Sequence, residues 1–329
     1  GQLMKLGQLQ YVVEVVNQGL NITNAAESLH TAQPGISNQI KSLEEELGVS
    51  LFERNGKHIT RLTRAGEDLV EHFSRVLDEI EVIEKTAADH ANPSRGSLTI
   101  ATTHTQARYV LPDIITQFVE KYPDVALHIH QGTPTQIAEM AATGVADVAI
   151  ATEALELFDG LCLLPCYRWN RCVMVPKGHP LVKEKLLTLD AVSQYSIITY
   201  VFGVADRSII NQAFVERGLE FNVVLTAADA EVIKTYVRNG LGVGLVARMA
   251  YDRKQDQDLQ VLDAGHLFEE SITSLAIRKN VGLRDYMFDF IEMFSPHLKR
   301  EVVEKVMDVN DNKLQQALFD EHVANTETR

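Results

Sequence analysis

The first thirty residues carry one apolar stripe at helical spacing, then a break and a second, shorter helical pattern. Apolar residues between positions 9 and 16 recur every three to four residues, which predicts an amphipathic helix that ends near Gly19. A second helix is predicted at Asn24–His30, where the side-chain oxygen of Asn21 or Thr23 can cap the first turn. The pattern therefore predicts two consecutive helices separated by a short polar turn.

A third helix is predicted after the short link Thr31-Ala32. Pro34 suits its first turn, where the missing N–H costs nothing. Four apolar residues form its buried face: Ile36, Ile40, Leu43 and Leu47. Two short helices joined by a tight turn predict a helix-turn-helix, whose second helix offers polar side chains to the major groove of DNA.

A β-hairpin is predicted directly after these helices. Residues 51–54 and 59–63 have the composition of two short strands, and Asn55-Gly56 between them is a strong signal for a tight turn. The hairpin would add a wing, so that residues 4–66 form a mainly α-helical winged helix-turn-helix.

A long helix is predicted over residues 67–90, which contain neither Pro nor Gly. Six apolar residues alternate at spacings of four and three: Leu69, Phe73, Val76, Ile80, Ile83 and Ala87. This heptad seam favours pairing with another helix, and packing on the helix's own domain is the alternative. Residues 91–96 contain Pro93 and Gly96 and predict a hinge.

Strands and helices alternate from Ser97 onward. One strand–helix series up to residue 151 predicts a parallel sheet. A second series follows from residue 171 and includes strands predicted at Arg171–Pro176 and Ser196–Tyr200. Two such units predict an α/β domain with two lobes and a cleft between them. The expected divisions are 97–165 with 268–300 for the first lobe, 166–267 for the second lobe, and 301–329 for a tail that is helical in part.

The composition fits a globular protein: 45% of the 329 residues are hydrophobic, and no apolar run approaches the ~20 residues of a membrane span. The N-terminus lacks the apolar core of a signal peptide, so we expect a cytoplasmic protein with reduced thiols. The net charge of −14 argues against a nucleic-acid partner. However, residues 1–66 carry equal numbers of cations and anions, and residues 67–90 alone carry a net charge of −6. The acidity therefore lies outside the predicted DNA-binding region.

The string AAESLHTAQPGISNQIKSLEEELGVSLFERNGKHITRLTRAG, residues 25–66, resembles the winged helix-turn-helix of LysR-type transcriptional regulators. The resemblance implies a dimerising linker helix and a two-lobed effector domain of periplasmic-binding-protein type. It also implies a regulator, mainly an activator, that forms a homotetramer, binds promoter DNA and acts on RNA polymerase. The residues that it implies at the DNA are Gln33, Pro34, Ser37, Asn38, Lys41, Arg54 and Lys57.

Two residues depart from the pattern of that family. Ala32 stands where Ser is common, so the cap of the recognition helix must come from Thr31 or be weak. Asn38 stands where Arg or Lys is usual, which removes a cation from the DNA-facing side. Arg54 and Lys57 are expected at phosphates, which position a protein without reading sequence, and a surface ion pair to a nearby Glu is the alternative for Arg54.

After Ser97 the resemblance narrows to the CysB/Cbl subgroup, on segments such as GSLTIATTHTQARYVLP, HQGTPTQIA and LPCYRWNRC. It implies control of cysteine biosynthesis and sulfur assimilation, with N-acetylserine, O-acetylserine or a sulfate-like oxyanion as the small effector. A LysR-type regulator of another regulon, such as sulfonate use or oxidative defence, is the alternative. A solute-binding protein or an enzyme of the same two-lobed fold is disfavoured by the N-terminal motif.

Residues 102–106, Thr-Thr-His-Thr-Gln, lie between a predicted strand and the start of a helix, where N–H groups and hydroxyls can bind a small anion. By resemblance, the effector-binding residues are Thr103, Thr105, Gln106, Thr152 and Thr199. Thr102 is expected to bond locally, and helix capping without a ligand is the alternative for these threonines. Trp169 is expected either in the cleft wall or in the core. The subgroup often has Thr-Gly at Ala205-Asp206, so we expect weaker sulfate affinity or a different effector.

The remaining motifs are weak. Gly240, Gly242 and Gly244 follow a helix rather than a strand, so they do not predict a nucleotide loop. His128 and His130 are expected at the surface or in the cleft wall rather than on a metal. The three cysteines lack CxxC spacing and are expected to be buried. We predict no catalytic residue, no metal and no cofactor.

Overall fold

The computed structural model describes residues 4–201 and 204–329, with the backbone alone at 204–208. Ala205 and Asp206 therefore lie outside the residues whose side chains are described. The chain divides into two compact units. The first contains the residues up to Ala91 together with Asn280–Leu283, and the second contains Asn92–Lys279 and Arg284–Arg329.

The first unit is a bundle of short helices with a wing and one long helix. Its elements are α1 (Leu6–Asn17), α2 (Ile22–Ser28), α3 (Gln33–Leu47), β1 (Phe52–Asn55), β2 (His58–Leu62) and α4 (Arg64–Ala91). The apolar stripes of the short helices meet in one core, in which Val12, Ile36, Ile40, Leu43 and Leu51 are completely buried. The predicted helix-turn-helix is present, with the apolar face of α3 inside and its polar face outside.

Local chemistry sets the turns between these helices. Gly19 follows α1 at φ +64°, a conformation that a residue without a Cβ adopts readily. Asn21 caps α2, because its side-chain oxygen accepts a hydrogen bond from the N–H of Asn24 at 3.0 Å. The N-cap of α3 is Ala32, which has no side-chain oxygen, and no side chain makes a capping hydrogen bond there. Of the two alternatives for this helix, a cap from Thr31 or a weak cap, the structure therefore has the weak cap.

The wing is an antiparallel pair of β1 and β2. Asn55 lies opposite His58, so the two-residue loop is Gly56-Lys57, one residue beyond the predicted turn. Gly56 takes φ +63°, which explains why the turn needs a glycine there. The shift places Lys57 at the tip of the wing.

Helix α4 begins three residues before its predicted start. Its seam divides into two parts. Leu69 and Phe73 pack on the core of the first unit, where Phe73 is 5% exposed. Val76 and Ile83 are 42% and 56% exposed. The first turns of α4 therefore pack on their own domain, which was the alternative to helix pairing. The later turns leave apolar side chains exposed.

The second unit contains two sheets. The chain first builds β3 (Gly96–Thr102), a π-helical turn (Gln106–Val110), α5 (Leu111–Lys121), β4 (Val125–Gln131), α6 (Pro134–Ala142), β5 (Val148–Ala151) and β6 (Leu161–Trp169). It then builds β7 (Arg171–Pro176), α7 (Leu189–Ser193), β8 (Ser196–Tyr200), α8 (Val204–Glu216), β9 (Asn222–Ala227), α9 (Ala230–Arg238), β10 (Val243–Ala247) and β11 (Leu259–Asp263). It ends with β12 (Ser271–Arg278), α10 (Asp285–Phe294), α11 (Arg300–Met307), α12 (Asn312–Val323) and β13 (Glu327–Thr328).

The first sheet has the order β13-β6-β12-β5-β3-β4, and the second has the order β11-β7-β10-β8-β9. In each, the strands of the βαβ units are parallel: β3 pairs with β4 and β5, and β8 pairs with β9 and β10. The predicted two-lobed α/β fold class is confirmed. The chain crosses between the sheets at Asn170 and again between β11 and β12.

One expected lobe boundary differs from the structure, and the tail contains a strand besides the expected helices. The lobe boundary expected at 165/166 lies inside β6, which stays in the first sheet as far as Trp169. The tail is helical at α11 and α12, but it also ends in β13, which pairs in parallel with β6. This strand was not predicted, because two paired residues are too few to show a hydrophobic alternation.

The glycines around residue 242 are explained by packing. A Cβ at Gly242 would lie 2.4 Å from the carbonyl oxygen of Ser196, and one at Gly244 would lie 2.9 Å from the side chain of Val237. These glycines let α9 and β8 approach β10 closely. Their role is therefore in packing, and no nucleotide is needed to explain them.

Candidate DNA-binding surface and effector cleft

The polar face of α3 and the wing enclose one open groove of about 1600 Å³. All the side chains predicted at DNA line it and are exposed: Gln33, Pro34, Ser37, Asn38, Lys41, Arg54 and Lys57. Lys41 and Lys57 make no ion pair within the ranges 4–201 and 204–329. The groove therefore combines neutral polar groups on the helix with cations on the helix and wing.

One groove residue is tied to the neighbouring helix. The side-chain amide of Gln33 donates a hydrogen bond to the hydroxyl of Thr23 in α2. This bond uses a donor of the Gln33 amide and leaves its amide oxygen available as an acceptor.

Glu44 was missed by the sequence reasoning, although it organises the join between α3 and the wing. It is 8% exposed, and its Oε1 accepts hydrogen bonds from the backbone N–H groups of Leu51 at 2.8 Å and Phe52 at 3.3 Å. Its Oε2 pairs with the guanidinium of Arg54 at 3.1 Å. The ion pair considered as an alternative for Arg54 is thus present, and a phosphate contact by Arg54 stays a prediction.

The second unit brings together polar side chains from several strands at the cleft between its sheets. The hydroxyl of Tyr167 donates to Oε1 of Gln106, and Nε2 of Gln106 donates to Thr273 over 3.5 Å. The hydroxyls of Thr273 and Thr152 are 3.3 Å apart, and Nε1 of Trp169 donates to Thr152 at 3.2 Å. These five residues form one chain of neutral hydrogen bonds, called the Gln106–Thr152 network below.

The other predicted effector residues are placed differently. Thr103 and Thr105 are half-buried at the turn between β3 and the helix that follows. The side chain of Thr105 lies near the hydroxyl of Tyr200, on the second sheet. Thr199 is 1% exposed, and its hydroxyl donates to the carbonyl of Leu245 at 2.8 Å. The hydroxyl of Thr199 therefore uses its proton in a hydrogen bond within its own sheet.

The local bond expected for Thr102 is present. Its hydroxyl donates to the carbonyl of Ile150 at 3.1 Å, and the residue is completely buried. Thr102 therefore ties β3 to β5 behind the cleft and is separate from the half-buried Thr103 that follows it.

Trp169 lies beside the network rather than in a purely apolar core. It is 5% exposed, and the guanidinium of Arg171 stacks over its ring at 4.7 Å from the centroid. Arg171 is itself buried and donates to Ser271 at 3.1 Å. A positive charge thus lies behind the neutral donors of the cleft, which suits an anionic or dipolar ligand.

Two regions of the sequence match known family profiles. Residues 6–67 match the family described as "Bacterial regulatory helix-turn-helix protein, lysR family", and residues 91–299 match "LysR substrate binding domain". The chain belongs to the LysR family of transcriptional regulators. As a member of this family it is a DNA-binding regulator that takes small effectors in its second domain, and it is not an enzyme.

Relatives within the LysR family align over almost their whole length. The transcriptional regulator CysB of Haemophilus influenzae is 50% identical, over 96% of this chain and 98% of its own. The transcriptional regulator SsuR of Burkholderia cenocepacia is 48% identical, over 90% and 96%. The crystal structure of the cofactor-binding domain of the Cbl transcriptional regulator is 41% identical and covers 65% of this chain and 95% of its own, with a TM-score of 0.63.

The π-helical turn of this LysR-family domain connects its two lobes. Arg108 donates to Gln255 at 3.0 Å, and the hydroxyl of Tyr109 donates to the carboxylate of Glu231 on α9. Lys234, which is completely buried, bonds both Tyr109 and Glu231 and pairs with the buried Asp256 at 2.7 Å. These contacts were not predicted, because π-helical turns are rare and are not visible in hydrophobic periodicity.

These contacts change the ionisation of Glu231. Burial alone raises the pKa of its carboxyl, but the hydrogen bonds from Tyr109 and Lys234 outweigh burial and hold it below its usual value. The carboxylate is therefore charged at neutral pH and available as the acceptor between the lobes.

The cysteines and the two histidines of β4 are placed as follows. All three cysteines are buried and free, and burial raises the pKa of each thiol to about 12. His128 and His130 are exposed on β4. Across the described ranges, no three His, Cys, Asp or Glu side chains lie close enough together to hold a metal ion. Over the same residues, no helix has the length and apolar composition to cross a membrane.

Proposed function

We propose that the protein activates transcription by reading promoter DNA with the exposed face of α3 and the wing. The observation that carries this proposal is the single groove lined by all the predicted DNA contacts. Ser37 and Asn38 suit base edges in the major groove, because hydroxyl and amide groups can donate and accept. Lys41, Arg54 and Lys57 suit phosphates, which position the domain.

We propose cysteine biosynthesis and sulfur assimilation as the regulon. The 50% identity to CysB over nearly the whole of both chains supports it. Oxidative defence is disfavoured because the thiolate is the form that oxidants attack, and thiols with a pKa of about 12 are protonated at neutral pH. Sulfonate use is the remaining alternative, and its promoters belong in the same binding assays.

The proposed effector is N-acetylserine, O-acetylserine or a sulfate-like oxyanion. The residues proposed to bind it are Thr103, Thr105, Gln106, Thr152 and Thr199. The Gln106–Thr152 network supports this, since its amide and hydroxyl donors are neutral, fixed by neighbours and backed by the buried guanidinium of Arg171. Thr199 would take part through its position, because its hydroxyl donates to Leu245.

We propose that the protein acts in the cytoplasm as a homotetramer built from dimers that pair through α4. The exposed Val76 and Ile83, one heptad apart on α4, support helix pairing. Several winged helices acting together would offset the low positive charge of each one. RNA polymerase is the proposed partner at activated promoters.

The DNA-binding proposal is tested by a matched pair of serine substitutions on one helix. Ser37 lines the groove, whereas Ser42 is exposed on the same helix outside it. Ser37→Ala should reduce the preference for a cysteine-gene promoter over shuffled DNA, and Ser42→Ala should leave it unchanged. Lys57→Ala should weaken binding to both DNAs and lower the salt slope by about 1. Equal behaviour of the two serine variants would remove α3 as the reading element.

The effector proposal is tested with the single tryptophan as the reporter. Trp169 bonds Thr152, so ligand binding should change its fluorescence. Thr152→Val should weaken N-acetylserine and sulfate binding about tenfold, because a buried hydrogen bond is lost. Thr143→Val, at an exposed position, is the control. Unchanged affinity in Thr152→Val would exclude the network as the effector site.

A further inference from the structure

The last residues of the chain form an added strand on the first sheet of the second unit. Glu327 lies opposite Tyr167 and Thr328 opposite Arg168 in a parallel pair. The backbone N–H of Arg329 donates to the carbonyl of Arg168 at 2.8 Å. The tail thus covers the edge of β6, which would otherwise expose unpaired backbone groups.

A side-chain clamp holds this strand. Arg168 donates from Nε to the hydroxyl of Thr326 at 3.1 Å and from Nη2 to the carbonyl of Thr326 at 3.2 Å. Thr326 is only 5% exposed, although its neighbours in the tail are exposed. A guanidinium that holds both the hydroxyl and the carbonyl of one residue fixes the strand in one register.

The register places Arg329 over Tyr167. Its guanidinium lies 4.7 Å from the centroid of the tyrosine ring, within cation–π distance. Tyr167 is 1% exposed, and its hydroxyl orients the amide of Gln106 by donating to Oε1. Because that bond occupies the amide oxygen, the NH2 group of Gln106 is directed to Thr273, the next member of the Gln106–Thr152 network.

The helix before the strand approaches the same network from another side. A cavity of about 510 Å³ is lined by Thr152 and Ser271 and also by Asn312, Gln315 and Phe319 of α12. The tail therefore contacts the surroundings of the Gln106–Thr152 network at two places, which are Tyr167 under β13 and the cavity beside Thr152.

We propose that the C-terminal segment, α12 and β13, is a positioning part of the effector cleft, and that Arg329 is its main contact. By holding the ring of Tyr167, Arg329 fixes the direction in which Gln106 presents its donor to an anionic ligand. This inference rests on the proposed effector-binding function. Arg329 and Thr326 act through Tyr167 and Arg168 and do not themselves touch the effector.

The test compares three single variants of the full-length protein by Trp169 fluorescence, with sodium sulfate and N-acetylserine as probes. Arg329→Gln should weaken binding about threefold to tenfold, because the cation over the ring is lost. Arg329→Lys, which keeps a cation, should restore most of the affinity. Glu327→Gln, exposed on the same strand, is the matched control. Recovery of the affinity in Arg329→Lys would show that the cation positions Tyr167. Thermal unfolding of each variant, measured in parallel, shows whether a general loss of stability contributes.

A truncation ending at Asn325 gives a readout that does not need a ligand. Removing β13 should shift the emission of ligand-free Trp169, two residues along β6 from Tyr167, and should speed hydrogen exchange at residues 167–169. If the intact protein bound neither probe, the proposed effectors would fail, but the emission and exchange changes would still decide the role of the tail. Unchanged emission and exchange in the truncation, or equal probe affinities in Arg329→Gln and Glu327→Gln, would overturn the inference.

Discussion

At the scale of single residues, the strongest constraint on the DNA-binding domain is a buried carboxylate. Glu44 accepts hydrogen bonds from two backbone N–H groups and pairs with Arg54. It thereby joins the end of the recognition helix to the start of the wing. The geometry of the groove depends on this join, because Arg54 and Lys57 are on the wing and Ser37 and Asn38 are on the helix.

Glu44→Ala should destabilise the winged helix-turn-helix by about 1–3 kcal/mol, because it leaves buried N–H groups without an acceptor. The measurement is urea unfolding followed through the helical circular dichroism of residues 1–91. Glu45→Ala, one residue along and exposed, is the control and should change stability by less than about 0.5 kcal/mol. Similar losses in both variants would show that the carboxylate has no special role.

A half-buried histidine, His297, should make the stability of the second domain depend on pH. Burial lowers the pKa of His297 below 6.5, and His322 adds to the effect, while the bond to the Pro165 carbonyl opposes it. The unfolded chain therefore binds a proton first as the pH falls. The stability present above pH 6.5 should decline as the pH falls below 6.5 toward the folded pKa.

The check on His297 is thermal unfolding between pH 7.5 and 5.5. His297→Asn should flatten the decline, and His128→Asn, at an exposed position on β4, should not. A decline as steep in His297→Asn as in the unchanged protein would contradict the assignment.

At the scale of elements, α4 changes its role along its length. Its first turns complete the core of the winged helix, and its later turns leave Val76 and Ile83 exposed. Apolar side chains one heptad apart, on a helix whose other face is acidic, are typical of a pairing surface.

Ile83→Glu should therefore separate the proposed α4 pair, reduce the mass of the assembly and lower the affinity for promoter DNA at least tenfold, because two winged helices no longer bind together. Analytical ultracentrifugation gives the mass, and Glu79→Gln on an exposed position of α4 is the control. An unchanged mass for Ile83→Glu would place the dimer contact elsewhere.

The sequence predicted elements best where the apolar pattern was continuous and clearly bounded. β7 and β8 have the predicted bounds, because each is a buried apolar run between polar residues. β6 was not predicted, since Pro165 interrupts it, and β13 is stabilised by long-range pairing rather than by its own residues. Local patterns carry no information on such partners.

The same limit applies to the effector cleft. Gln106 and Thr152 were predicted by resemblance, and the structure places both in one network. Tyr167 and Thr273 were missed because they lie 61 and 167 residues from Gln106 along the chain. Only the fold brings them together.

At the scale of the whole molecule, the acidic net charge is compatible with DNA binding. The winged helix is neutral overall and places Lys41, Arg54 and Lys57, three of its six cations, at the groove, while α4 and the second domain carry the acid. Without a broad positive field, affinity must come from aimed contacts and from several subunits acting together. The effector would act by favouring one arrangement of the lobes, which are joined by Tyr109, Glu231 and Lys234.

In the proposed regulator, the winged helix reads specific promoter DNA and the cleft controls this reading. The most direct measurement is the affinity of the full-length protein for a cysteine-gene promoter and for shuffled DNA at one salt concentration, with and without N-acetylserine. The protein should bind the promoter at least 10³-fold tighter than shuffled DNA. N-acetylserine should change the promoter affinity, and this change should be lost in Thr152→Val. Equal affinity for both DNAs, with no response to N-acetylserine, would show that the winged helix does not read sequence and that the cleft does not control it.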